Sequence, residues 1–209
     1  MRRVVFLGPP GAGKGTQART LAAEWGVPLV STGDLLRAAV RANTPLGQEA
    51  SGYMNAGKLV PDDLVLRMLR ERVAAQDART GFILDGFPRN VAQAEALGSI
   101  TPLDVVVAFE LPAPVLIERL SQRRVCPTCQ TVYNLVSSPP RAAGKCDRDG
   151  ATLEQRPDDR PAAVATRLRV YAEATAPLLE FYRARSLLRA IDATGDPGAV
   201  ADRVRRAAG

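Results

Sequence analysis

Short apolar runs bounded by glycine and proline alternate along this chain with longer stretches whose apolar residues recur at helical spacing. The short runs are residues 3–7, 27–30, 82–85, 104–110 and 188–192, and their length and mainly apolar character suit buried parallel strands. The helically periodic stretches are residues 15–25, 32–41, 62–78, 114–123 and 161–184. Alternation of this kind predicts an α/β fold, a doubly wound parallel sheet of five strands with helices on both faces.

Two segments interrupt the alternation. Residues 31–60 read as a helical insertion. Residues 122–159 hold Pro127, Pro139, Pro140, Gly144, Gly150, Pro157 and all three cysteines with few large apolar residues, so this insertion is not expected to build a hydrophobic core of its own. The expected domains are therefore a core of residues 1–30, 61–121 and 160–209, a first insertion at 31–60 and a second, lid-like one at 122–159. Open α/β sheets bind ligands at strand ends, where such insertions project.

Composition narrows the chemistry. The chain has 209 residues, 46% hydrophobic and 24% charged, enough for a sizeable core. It has no histidine, which excludes an imidazole base, a phosphohistidine intermediate and histidine metal ligands. The net charge of +6 comes from arginines scattered singly or in pairs, not from a basic block, so anionic small molecules are favoured over a polynucleotide. Three cysteines confined to residues 126–146 do not form the framework of a secreted disulfide protein. The apolar run at residues 4–7 is too short for a signal-peptide core and no run of ~18 apolar residues occurs. A cytoplasmic protein without membrane attachment is the expectation.

Directly after the first strand comes Gly8-Pro9-Pro10-Gly11-Ala12-Gly13-Lys14-Gly15-Thr16, and a helix starts there. This is a P-loop in the context the motif requires. Backbone N–H groups of Gly11, Ala12, Gly13, Lys14, Gly15 and Thr16 are expected to converge on phosphates at the helix N-terminus, with Lys14 reaching the outer ones. Gly15 stands where many P-loops carry a Mg²⁺-ligating hydroxyl. Mg²⁺ is therefore expected to be held mainly by nucleotide phosphates, with Asp85 acting through water.

The string GPPGAGKGTQA, followed by Ser31-Thr32-Gly33-Asp34-Leu35-Leu36-Arg37 and by Asp85-Gly86-Phe87-Pro88-Arg89, closely resembles the adenylate kinase family, over nearly the whole chain. The resemblance implies reversible transfer of the γ-phosphoryl of MgATP to AMP, giving two ADP, by a monomer with a mobile monophosphate-binding domain and a lid. Phosphoryl transfer needs positioning and charge neutralisation more than a base, so the missing histidine does no harm. By similarity Lys14, Arg89, Arg123, Arg156 and Arg167 are the catalytic clamp. Arg119, Val132, Tyr133 and Gly195 would complete the ATP site, Arg119 against adenine. Thr32, Arg37, Lys58, Leu59, Val60, Gly86, Phe87, Pro88 and Gln93, with Arg89, Arg156 and Arg167, would form the AMP site, with Gln93 pairing to the base edge through its amide. Ser31 and Asp34 also fit a capping box, which explains part of their string without a ligand. Two alternatives remain: a kinase for another nucleoside monophosphate, and a P-loop switch or nucleic-acid-associated ATPase.

Cys126-Pro127-Thr128-Cys129 and Cys146-Asp147-Arg148-Asp149 form a CxxC and a CxxD separated by sixteen residues, a zinc-ribbon-like spacing. The resemblance to zinc-bearing lids assigns the ligands to Cys126, Cys129, Cys146 and Asp149. Asp147 competes for the fourth place, and a redox CxxC is the rival reading. Four protein ligands leave no open position, so zinc here would be structural.

Overall fold

All five apolar runs become strands of one parallel sheet in the computed structural model, which describes residues 2–209. In chain order the elements are β1 (Arg2–Leu7), α1 (Lys14–Trp25), β2 (Leu29–Ser31), α2 (Thr32–Arg41), α3 (Pro45–Asn55), α4 (Asp62–Ala74), β3 (Gly81–Asp85), α5 (Val91–Ile100), β4 (Val105–Glu110) and α6 (Ala113–Ser121). They continue with β5 (Arg123–Val125), β6 (Val132–Asn134), α7 (Pro161–Val170), α8 (Pro177–Arg183), β7 (Leu188–Asp192) and α9 (Pro197–Ala208). The sheet order is β2-β3-β1-β4-β7, every neighbouring pair parallel.

Side chains alternate across the sheet with a period of two. Val5, Leu7, Phe82, Leu84 and Val106 face one apolar layer with Leu69 of α4, Leu97 of α5 and Leu178 of α8. Val4, Phe6, Ile83, Val105, Val107 and Phe109 face the other with Leu21 of α1, Leu116 of α6 and Val204 of α9. Both faces are covered, as an all-parallel sheet requires, and each of the large side chains contributes about 1.5–3 kcal/mol by burial. The strands' C-terminal ends lead directly into the P-loop after Leu7, into Thr32 after Ser31 and into Gly86 after Asp85.

Several boundaries differ from the sequence expectation. The helix expected at 62–78 ends at Ala74; Ala75 is extended and a 3₁₀ turn covers Gln76–Ala78. The helix expected at 114–123 ends at Ser121, and Arg123 opens β5. The strand expected at 27–30 is Leu29–Ser31. The helix expected at 161–184 is interrupted by a π-helical turn at Tyr171–Thr175. Pro177 has no N–H to continue an α-helical ladder, and the chain widens before it, Ala176 N donating to Tyr171 O at 2.8 Å. Helices α5 and α9 lie outside the stretches for which the sequence pattern predicts a helix.

The first insertion is α2 and α3, packed so closely that a Cβ on Gly47 would lie 2.1 Å from Ala39 O. Ser31 Oγ accepts from Asp34 N at 3.3 Å and caps α2; Thr44 Oγ1 accepts from Gly47 N at 3.1 Å and caps α3. The second insertion carries the antiparallel pair β5–β6. Contrary to expectation it has a small core, in which Tyr133 and Leu153 pack with Cys126 and Cys146.

Candidate active site and lid metal centre

Three glycines give the loop after β1 its path. Gly8, Gly11 and Gly13 have φ of 149°, 87° and 87°, values an L side chain rarely adopts. A Cβ on Gly11 would lie 2.9 Å from Leu116 O. Gly13 immediately precedes the first helical residue, so the α1 N-terminus, with its unsatisfied N–H groups and partial positive charge, opens onto the loop. Lys14 Nζ crosses the loop and donates to Gly8 O at 2.7 Å and Pro9 O at 2.8 Å. Burial, reinforced by Arg89, Arg167 and Arg123 and opposed by Asp85, lowers its pKa to about 8. A Cβ on Gly15 would stand 3.4 Å from Asp85 Oδ2, so Asp85 overlooks the position where a hydroxyl-bearing side chain is missing.

Opposite the loop lies a group of arginines set by two aspartates. Asp159, with a side chain 0% exposed, accepts from Arg123 Nε at 2.7 Å and from Arg167 Nη1 at 3.0 Å. Arg167 Nη1 also meets Asp158 Oδ2 at 3.0 Å. Burial pulls the Asp158 carboxyl upward, but Arg167, Arg123, Arg37 and Arg156 outweigh it and hold its pKa below the ordinary value. Burial lowers Arg156 to about 9 with help from Arg37 and Arg123. Arg89 falls to about 10 through enclosure of its guanidinium and the nearby Arg167 and Arg37, although the residue as a whole keeps contact with solvent. The Nε groups of Arg37 and Arg156 are buried without a partner. Such crowding of cations with unspent donors fits a polyanionic ligand.

Two cavities meet at these arginines. A cleft of about 620 Å³ is lined by the P-loop residues Gly11 to Thr16, Asp85, Arg119, Arg123, Arg156, and Val132 and Tyr133 of the lid, with Gly195 at its far wall. A narrower pocket is lined by Thr32, Arg37, Lys58, Leu59, Val60, Gly86 and Gln93. Arg37, Arg89 and Arg167 border both. The sequence-expected residues are thus brought together, with two distinctions: Pro88 and Arg156, expected at the AMP site, line the larger cleft and not the narrow pocket, and Phe87 is buried in the core, 1% exposed, and lines neither cavity.

The narrow pocket is wired tightly. Gly86 has φ 83°, and its carbonyl accepts from Thr32 Oγ1 at 2.9 Å and Arg89 Nε at 2.8 Å. Gln93 Oε1 accepts from Arg89 N at 2.7 Å, and Gln93 Nε2 donates to Asp62 Oδ1 at 2.6 Å. Asn90 Nδ2 donates to the same carboxylate at 3.0 Å, while Asn90 Oδ1 accepts from Gln93 N and caps α5. Thr175, in the π turn, donates from Oγ1 to Arg89 O at 2.8 Å. Sequence reasoning missed Asp62, Asn90 and Thr175. Only Asn90 carried a local signal, as an N-cap residue before α5.

In the lid, one ligand atom from each of Cys126, Cys129, Cys146 and Asp149 lies within 4.8 Å of the others. Cys129 Sγ and Cys146 Sγ are 3.5 Å apart, and Cys126 Sγ is 3.3 Å from both Asp149 oxygens. Zinc bonds of about 2.3 Å to sulfur imply ligand separations of roughly 3.5–3.8 Å at tetrahedral angles, so the donor set fits that ion in chemistry and spacing. Asp147 is engaged elsewhere, its Oδ1 accepting from Arg141 N at 2.8 Å.

A P-loop facing a converging set of arginines, with two cavities joined where the arginines stand, defines a nucleotide-binding phosphotransferase of the P-loop class. A family model described as "Adenylate kinase" matches residues 6–187. Proteins named adenylate kinase are similar over most of their length. That of Thermodesulfovibrio yellowstonii is 50% identical over 198 residues, 92% of each chain. That of Moorella thermoacetica is 49% identical over 212 residues, 99% of this chain and 98% of the other. That of Bacillus subtilis is 46% identical, with 92% and 91% covered. The chain belongs to the adenylate kinase family. Among the described residues no helix is long and apolar enough to cross a membrane.

Proposed function

We propose that this chain catalyses the reversible transfer of a phosphoryl group from MgATP to AMP, giving two ADP. The observation that carries this reading is the meeting of the P-loop cleft and the narrow pocket at Arg37, Arg89 and Arg167. One nucleotide in each cavity would point its phosphates at the other across these cations, the arrangement in-line transfer requires. The P-loop amides hold the donor's outer phosphates, and Lys14 exchanges its two carbonyl partners for phosphate oxygens. Arg119, whose guanidinium donates to Ala193 O at 3.4 Å, lies at the base end of the donor cleft with Gly195. The acceptor phosphate sits on Arg37 and Arg89, and its base against Thr32, Lys58 to Val60 and Gln93.

No general base is needed, because the attacking phosphate oxygen is already ionised. Arg89, Arg123, Arg156 and Arg167 spread over the charge that moves between donor and acceptor, and Asp158 and Asp159 keep them in place. Asp85 is the residue that would hold Mg²⁺ brought in with the donor, acting through water, and the ion would supply neutralisation of the phosphate charge. Val132, Tyr133 and Arg156 bring the lid over the cleft, which would exclude water and so suppress hydrolysis of the donor. Zinc on Cys126, Cys129, Cys146 and Asp149 would make that lid rigid, supplementing the small core around Tyr133 and Leu153. Three cysteines gathered with Asp149 in one ligand cluster, and not spread along the chain as disulfide partners, support a reducing, cytoplasmic setting, and the bilobed site is complete within one chain, which supports a monomer. The dispersed arginines favour nucleotides over nucleic acid.

A coupled assay tests the reading: ADP formed from MgATP with each nucleoside monophosphate in turn. The reading predicts rapid AMP-dependent turnover. Preference for another monophosphate would transfer the activity to that substrate, and MgATP consumption without any monophosphate dependence would refute it.

A further inference from the structure

Base choice in the acceptor pocket depends on which way round the Gln93 amide stands, and the pocket contains a device that settles it. Glutamine is ambiguous as a base reader. With oxygen and nitrogen one way it complements the N1 acceptor and 6-amino donor of adenine; flipped by 180° it complements the N1–H donor and 6-oxo acceptor of hypoxanthine or guanine equally well. An unconstrained Gln93 would therefore discriminate poorly between 6-amino and 6-oxo purines.

We propose that Asp62 is a positioning residue that locks the Gln93 amide in its adenine-reading orientation, and so sets the preference for a 6-amino purine monophosphate. The inference rests on Gln93 facing the acceptor base, as proposed above. Gln93 is 2% exposed and held from both ends by groups of fixed polarity. Arg89 N can only donate, and it donates to Oε1 at 2.7 Å. The Asp62 carboxylate can only accept, and it takes a hydrogen bond from Nε2 at 2.6 Å. A flip would set Oε1 against the carboxylate and Nε2 against an N–H, leaving two buried polar clashes. Asn90 braces the arrangement: its Nδ2 donates to Asp62 and its Oδ1 accepts from Gln93 N. In the locked orientation Gln93 retains one N–H on Nε2 and one lone pair on Oε1 for a ligand.

The test compares kcat/KM for AMP and for IMP, which differ only at the base edge in question, on the same preparation. Their ratio does not depend on the fraction of active protein, so a partly destabilised variant still reports. Asp62→Ala removes the acceptor, and the AMP-to-IMP ratio is expected to fall by about tenfold or more, the share of one charge-assisted hydrogen bond. Asp62→Asn keeps the shape but can present a donor or an acceptor, so the ratio falls by less. A ratio unchanged in both variants, with both substrates slowed in parallel, would overturn the lock while leaving the base-reading role intact. Gln93→Ala separates the two: if it leaves KM for AMP and the ratio as they were, the base-reading assignment fails and the lock fails with it.

Discussion

Lys14 offers a case in which stability and activity are expected to move in opposite directions. Its ammonium group is held at a pKa of about 8 instead of the 10.5 of a free lysine, chiefly by burial among other cations. That displacement corresponds to about 3 kcal/mol against the charged form in the folded protein at neutral pH. Lys14→Met keeps the volume and removes the charge, so the folded state should be more stable than the parent by up to about 3 kcal/mol, less whatever the bonds to Gly8 O and Pro9 O contribute. Turnover should nevertheless fall by about 10²–10³ or more, the usual cost of deleting one preorganised donor to a developing anion. The sign with pH follows from a folded pKa below the unfolded one. Below pH 8 both states hold the proton and the penalty is complete; from about pH 8 to 10.5 only the unfolded state holds it, so the parent gains stability at about 1.4 kcal/mol per pH unit. The variant's advantage in urea midpoint should thus be largest near pH 7 and vanish by about pH 10.5. Activity within threefold of the parent, or a stability difference that does not change across that window, would mean that Lys14 is not the buried phosphate-binding cation described above.

Asp149→Asn should abolish stoichiometric zinc in elemental analysis and lower the lid's thermal transition, whereas Asp147→Asn should retain about one equivalent; equal retention by both would remove Asp149 from the ligand set. Asp159→Ala leaves Arg123 and Arg167 without their shared buried carboxylate and should cost about 3–5 kcal/mol in urea unfolding, so a loss under 1 kcal/mol would show that those arginines find other partners. Gly47→Ala places a methyl 2.1 Å from Ala39 O and must push α2 and α3 apart. Because α2 carries Thr32 and Arg37, KM for AMP should rise about tenfold or more while KM for MgATP stays near its original value; equal changes in both would argue against a separate acceptor pocket.

Strands β1, β3 and β4 were legible because each holds three or more consecutive apolar residues, β7 because Leu188, Ala190 and Ile191 surround Arg189, and the P-loop because glycine, lysine and helix occur in a fixed order. Helix α5 was not, since Val91, Ala92, Ala94, Ala96, Leu97 and Ile100 surround it with apolar or small residues and leave no clear stripe. Helix α9 did carry signals that went unused: Asp196 at its N-cap, Pro197 at its first position, and Val200 and Val204 one turn apart. The interruption before Pro177 follows from that proline, but its resolution as a π turn depends on how the following turn packs. In the site, spacing alone left Asp147 and Asp149 in competition, and geometry separates them because it is an Asp149 oxygen that lies within 4.8 Å of the three cysteine sulfurs. Asp62 and Thr175 stayed invisible because they touch Arg89 and Gln93 only after distant segments come together.

In the proposed reaction two nucleotides meet phosphate to phosphate across Arg37, Arg89 and Arg167. A crystal grown with a bisubstrate mimic, two adenosines joined by five phosphates, tests it most directly. One adenosine is expected in the P-loop cleft beside Arg119, the other in the pocket beside Thr32 and Gln93, and the phosphate chain running past Lys14 to the three arginines. An empty narrow pocket, or a phosphate chain that avoids those arginines, would contradict it.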